Sequence, residues 1–257
     1  MLQAAYSGAA GARAMQEKVN VIAHNVANMN TYGFKSSNIT FKDTLYGVMT
    51  RPIQPQDHLN LQQGTGVIVA GTPTNFRQGT LNPTGVTMDF AIDGEGFFTV
   101  INNEGRIQYT RAGNFGVSVQ GDGTYYLRNG DGFYVLDENN ERIQLQDPNN
   151  LYVDSAGRLS AGPGEPPYAT MGIKTFDNLE GLIAVGNSSF VPSVTSGAPT
   201  QAPQEEYSLM QGYLESSNVN YAAEVTKLIM AQRTLSLAAQ AITTADEMEA
   251  TTNNLRA

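Results

Sequence analysis

Apolar and small side chains recur at three- and four-residue steps along the opening of the chain: Leu2, Tyr6, Ala9, Ala12, Met15, Val19, Ile22, Val26 and Met29. That spacing draws one stripe down an amphipathic α-helix. The stripe stops in Asn28-Met29-Asn30-Thr31-Tyr32-Gly33, where Asn and Gly suit a helix end. The far end of the chain repeats the pattern with Tyr221, Val225, Leu228, Leu235, Ala239, Ile242, Ala245, Met248 and Leu255, and Gln232 as a polar member. Ser216-Ser217-Asn218 supplies candidate capping residues just before it.

Between these helices the period changes. Phe97-Phe98-Thr99-Val100-Ile101, Asn103-Glu104-Gly105 and Arg106-Ile107-Gln108-Tyr109-Thr110 read as strand, turn and strand. Tyr125-Tyr126-Leu127, Asn129-Gly130-Asp131-Gly132 and Phe133-Tyr134-Val135-Leu136 repeat the motif, and the glycines supply the positive φ of tight hairpins. No helical pattern of about 10–15 residues separates the strands, which argues against a βαβ fold. Pro52 and Pro55 with several glutamines, and later Pro192, Pro199 and Pro203, mark extended connectors. The expected fold is mixed: N- and C-terminal α-helices forming a coiled-coil-like helical domain, with an inserted all-β domain built from hairpins. Its boundaries are 1–50 and 207–257 for the discontinuous helical domain, 51–66 for a connector, 67–190 for the β domain and 191–206 for a second connector.

Composition narrows what such a chain can do. Charged residues are only 15% of 257, and the net charge is −9, so the surface leans on uncharged polar groups that cost little to desolvate against a neighbour. The acidic balance argues against nucleic acid. Without Cys there are no disulfides and no thiolate chemistry. The N-terminus lacks the basic and apolar regions of a cleaved signal peptide, and no run is long enough for membrane insertion.

A search for chemistry returns little. His24 and His58 are the only histidines, and His24 lies off the apolar stripe. There is no zinc-hydrolase spacing and no nucleophile elbow. Asp93-Gly94-Glu95-Gly96 leads into a strand rather than a phosphate-binding helix, and Asp122-Gly123 and Asp131-Gly132 lack the spaced carboxylates of a calcium loop. Catalytic, cofactor-binding and metal residues are therefore expected to be none, with no small-molecule substrate.

The terminal stripes carry more. Two helices alone bury one seam, which is marginal, so further copies are expected to complete the burial. The expected interface residues are Leu2, Tyr6, Met15, Val19, Ile22 and Val26 on the first helix, with Val225, Leu228, Leu235, Ile242, Met248 and Leu255 on the last. Residues 1–50 carry four basic and two acidic side chains (+2), and 205–257 carry three basic and seven acidic (−4), which favours pairing of the two ends. A secreted β-domain enzyme with paired carboxylates, or an adhesin with an apolar groove, are the readings from other classes.

Ser7-Gly8 through Gln16, then Val21-Ile22-Ala23-His24-Asn25-Val26-Ala27-Asn28-Met29-Asn30-Thr31-Tyr32-Gly33-Phe34-Lys35, resemble the amino-terminal signature of bacterial flagellar basal-body rod and hook proteins. Its signature positions here are Asn25, Asn28, Asn30, Thr31, Gly33, Phe34 and Lys35. The segments Phe90–Phe98, Tyr109–Gly113, Gly212–Asn220 and Ile242–Met248 are similar to the same family in the same order. Length and the central β segment fit its distal-rod branch best, with the last proximal-rod branch as runner-up. The resemblance implies a structural subunit that polymerises with itself and with other rod and hook proteins. It implies a tube in the cell envelope outside the cytoplasmic membrane, built after type III export without a cleaved signal. Such a tube transmits torque from motor to hook around a central export channel.

Overall fold

The computed structural model of the chain describes residues 2–48, 62–121, 123–148 and 150–255. They fall into two compact units, one of Met1–Ala27, Ser37–Asn75 and Asn220–Ala257, the other of Asn28–Ser36 and Phe76–Val219.

The first unit is built on two long helices, α1 (Leu2–Ala27) and α2 (Tyr221–Asn254). Glu224, Leu228, Ala231, Leu235, Ala238, Ile242 and Ala245, with Val225 beside them, are the buried or half-buried positions of α2, and the seven fall at alternating four- and three-residue steps. They form one seam, and α1 packs along α2. Gly8 permits the close approach, since a Cβ there would stand 2.9 Å from Ile242 Cγ1. Four short strands complete the unit: β1 (Thr40–Asp43) pairs antiparallel with β4 (Val67–Gly71), and β2 (Tyr46–Val48) with β3 (Gln62–Gly64). The cap of α2 is Asn220, whose side chain accepts the Ala223 N–H, rather than the Ser216–Asn218 group expected from the sequence. Asn218 instead donates to the Arg77 carbonyl.

The second unit is antiparallel β. Its main sheet contains β7 (Phe97–Ile101), β8 (Ile107–Thr110), β9 (Phe115–Val119), β10 (Tyr125–Asn129), β11 (Tyr134–Val135), β12 (Gln144–Leu145), β16 (Ile173–Thr175), β17 (Ile183–Gly186), β18 (Ser189–Val191) and β19 (Thr200–Gln201). A three-stranded sheet joins β13 (Tyr152–Val153), β14 (Arg158–Ser160) and β15 (Ala169–Thr170). Two further pairs join β6 (Phe90–Gly94) to β20 (Tyr207–Gln211) and β5 (Leu81–Pro83) to β21 (Tyr213–Glu215). Phe90, Phe98, Leu127, Leu159, Met171 and Ile173 fill the larger core, and Phe97, Tyr109, Phe176 and Phe190 a smaller aromatic one.

Three sequence boundaries move. Residues 207–219 belong to the β unit, because Tyr207 and Leu209 alternate with less buried neighbours and pair with β6. Residues 28–36 join the β unit, while 67–75 join the helical one. The stretch 191–206, expected to be a connector, contains a strand and buries Ser196 and Ala202. Of the connector 51–66, residues 51–61 lie outside the described residues, and 62–64 are β3. A chain trimmed to 28–219 is therefore expected to keep a cooperative thermal transition of the β unit, followed by near-ultraviolet dichroism. One trimmed to 41–214 should lose it, because Lys35 and Glu215 go with the ends.

Candidate functional site

The signature segment enters the β unit through a sharp turn. Thr31 N–H donates to the Asn28 carbonyl at 3.1 Å, and Thr31 Oγ1 donates to Asn28 Oδ1 at 3.3 Å. Gly33 has φ +66°, and its N–H donates to the Glu215 carbonyl at 2.8 Å. A Cβ at Gly33 would lie 2.3 Å from the Ala112 amide nitrogen, inside backbone rather than a yielding side chain. Gly33→Ala should therefore cost the β unit at least ~1–3 kcal/mol from the left-handed backbone alone, read as a drop in its unfolding midpoint. An unchanged midpoint would mean the turn has slack that this packing lacks.

Beyond that turn lies a buried charge cluster. Lys35 Nζ donates to Glu215 Oε1 at 2.6 Å and to the Arg77 carbonyl at 2.9 Å. Glu215 Oε1 also accepts the Gly79 N–H at 2.8 Å, and Glu215 Oε2 stands 3.5 Å from Arg111 Nη1. Arg111 donates to the Gly94 carbonyl at 2.8 Å and lies over the Phe97 ring. The three side chains are 1%, 1% and 6% exposed for Lys35, Glu215 and Arg111. Two cations thus share one carboxylate away from water. Burial lowers the pKa of both Lys35 and Arg111, and the attraction of Glu215 opposes the shift. Arg111 Nε and Glu215 Oε2 make no hydrogen bond among the described residues, and the nearest approach of the two groups is the 3.5 Å from Nη1 to Oε2.

A second polar knot closes the helical unit. Asn25, near the end of α1, donates through Nδ2 to the Ser37 carbonyl at 2.8 Å and to Glu224 Oε2 at 3.2 Å. Its Oδ1 accepts the Ser37 N–H at 2.9 Å. Glu224, in the first turn of α2, accepts from Lys227 Nζ at 2.5 Å. One buried amide therefore joins the end of α1, the strand-entry segment and the start of α2. These groups set backbone register, and each is already engaged within the chain.

The expected site residues divide. Gly33 and Lys35 meet Arg111 and Glu215; Asn25 meets Glu224; Phe34 is buried and Asn30 exposed. Ile22 is buried, while Met15, Val19, Val26, Val225, Leu228, Leu235 and Ile242 are half-buried within the helical unit. Tyr6, Met248 and Leu255 are exposed, and the side chain of Leu2 lies outside the described residues. The sequence reading missed Met230 and Leu237, 62% and 64% exposed on α2, because its single stripe joined the seam positions up to Ile242 to the exposed Met248 and Leu255. It also missed Arg111, Glu215 and Glu224 as partners. Glu215 is the only charged residue in Gly212–Asn220, and a buried Lys35 requires such a group. No helix of the described residues is long and apolar enough to cross a membrane.

Comparison with known proteins matches three family models: flagella basal body rod protein over 6–35, flagellar hook protein FlgE/F/G D1 domain over 91–161, and flagellar basal body rod FlgEFG protein C-terminal over 210–255. The chain is similar to the flagellar basal-body rod protein FlgG of Bacillus subtilis, 36% identical over 260 residues that cover 96% of this chain and 97% of the relative. The FlgG of Caulobacter vibrioides is 35% identical over 269 residues, 99% of this chain and 100% of the relative. A flagellar basal-body rod protein FlgF of Mesorhizobium japonicum is 30% identical over 251 residues, 96% of each.

Proposed function

Because the chain belongs to the flagellar basal-body rod family, as a structural subunit of the distal-rod type and not an enzyme, we propose that its copies build a tube through a second apolar face of α2. The observation that carries this reading is the row Met230, Leu237 and Met248 on α2, continued by its cap residue Leu255, all exposed and off the seam. Steps of seven and eleven residues put these side chains on one face. A helix apolar on two faces is built to be covered on both, and α1 covers only the seam. Exposed Tyr6 adds apolar surface on α1.

In this reading the terminal helices supercoil around a central export channel, and the β units add contacts of their own. Partners are further copies and the neighbouring rod and hook proteins. The chain reaches its site beyond the cytoplasmic membrane by type III export, without signal cleavage. Torque passes from motor to hook through many repeated contacts. The Lys35–Glu215–Arg111 cluster supports this role, because it ties residues 28–36 and β21 into one rigid β unit. The test is to express a tagged chain in a strain lacking its own copy and to image isolated basal bodies. Complete, tag-decorated rods and restored motility are expected. Complete rods that exclude the tagged chain would overturn the reading.

A further inference from the structure

The outer face of the main sheet carries an arrangement that the helices do not explain. Tyr134 lies under two guanidinium groups, Arg128 at 4.3 Å and Arg142 at 4.4 Å from its ring centre. Tyr126 meets Tyr134 edge-on at 5.7 Å and accepts a hydrogen bond from Gln144 Nε2 at 3.3 Å. Arg128 is fixed further by donating to the Gly132 carbonyl at 2.7 Å and to Ser118 Oγ at 3.2 Å. The register places these residues on one face: Arg128 opposes Tyr134, and Tyr126 opposes both Gln144 and Ser118. The opposite face of the same strands holds the buried Leu127, Val135 and Leu145.

Among the described residues neither Arg128 nor Arg142 has a carboxylate within ion-pair distance. In a chain of net charge −9, two arginines stacked on one tyrosine and left without a counter-charge stand apart. A guanidinium held over a ring is weakly hydrated and has already lost its rotamer freedom, so it binds a carboxylate with little further ordering. Tyr and Arg are also the residues that dominate contact surfaces.

The complementary surface lies on the same unit. Glu95, Glu205 and Glu206 are exposed, and among the described residues none is in a salt bridge. Backbone hydrogen bonds hold Glu95 and Glu206 together. Glu95 N–H donates to the Glu206 carbonyl at 3.1 Å and Glu206 N–H to the Pro203 carbonyl at 3.0 Å. A Cβ at Gly94 would lie 2.2 Å from that same Glu206 carbonyl oxygen. We infer that the Arg128–Tyr134–Arg142 face of one copy docks on the Glu95–Glu205–Glu206 rim of a second copy. Because the two patches differ, the contact is head-to-tail, the kind that extends into a helical filament when its rotation does not close. The inference rests on the rod reading and assigns it a contact outside the helices.

Charge exchange tests it. One variant carries Arg128→Glu and Arg142→Glu, a second carries Glu95→Lys, Glu205→Lys and Glu206→Lys, and a third carries all five. Each is expressed in the strain lacking its own copy, and complete rods are counted. The first two should each lose complete rods by about tenfold or more, and the five-fold exchange should recover to within about threefold of the unaltered chain. Failure of recovery, or normal rods from either partial variant, overturns the docking. In parallel, a chain with Gln144→Cys and Gln204→Cys should give a disulfide ladder in isolated rods, which either cysteine alone should not. Complete rods without the ladder overturn the docking and leave the rod reading standing; failure of the unaltered chain to enter rods would sink the rod reading instead.

Discussion

Replacing Glu215 by alanine is expected to cost the β unit about 3–5 kcal/mol, because it strands two buried cations. Lys35 and Arg111 have no water to turn to, and the other acceptors of Lys35 and Arg111 are backbone carbonyls without a full charge. For a unit of this size the unfolding midpoint should fall on the order of 10 °C. Lys35→Met provides the contrast. It removes one of the two cations and leaves Arg111 paired one-to-one with Glu215, so its cost should be clearly smaller. If thermal unfolding shows Lys35→Met to be as damaging as Glu215→Ala, charge imbalance is not what the cluster is built around. The alkaline side gives a second reading. Burial holds Lys35 below its ordinary 10.5 in the folded chain. The folded form therefore loses this proton before the unfolded form does, and the Lys35 contribution to stability rises with pH between the lowered value and 10.5. Burial of Tyr109, Tyr168 and Tyr207 raises their pKa values and works the other way, removing stability above pH 10. Those tyrosines are present in both proteins, so the difference between wild type and Lys35→Met isolates the lysine.

The helices were legible because a period of 3.6 persists over many turns, and hairpins because Gly105 and Gly132 sit at turns with positive φ. The runs read as strands pair as hairpins, with Phe98 opposite Thr110 in one and Arg128 opposite Tyr134 in the other. What the sequence hid depends on distance along the chain. Lys35 and Glu215 are 180 residues apart, and Asn25 and Glu224 are 199 apart. No local pattern links such pairs. The strands at 207–215 were hidden for a different reason: five and three residues of alternation beside a 34-residue helix read as its approach. Glu224 shows a third limit. It occupies a seam position, where the stripe calls for an apolar side chain, and only Asn25 and Lys227 make a carboxylate tolerable there.

That seam also separates two kinds of charge substitution on the helices. Ile22 is 3% exposed inside the helical unit, so Ile22→Asp should damage the fold of a single copy as well as its assembly. It loses about 1.5–3 kcal/mol of burial and adds a carboxylate that has no partner, at several kcal/mol more. Leu237 is 64% exposed, on the face that α1 does not cover. Leu237→Asp should leave the unfolding of a purified single copy within about 0.5 kcal/mol of wild type. In a tube the same carboxylate would be shut into an apolar contact in every subunit, so the penalty recurs at each addition and growth stops. The expected result is a monomer of unchanged midpoint, exported normally, with rods absent and cells non-motile. Met230→Asp, on the same face, should behave alike. Thermal unfolding of each purified chain, set beside rod counts from isolated basal bodies, reads both effects. Normal rods from Leu237→Asp would remove the outer face of α2 from the contact. A lowered midpoint in that variant would instead mean that the face is already covered within one copy.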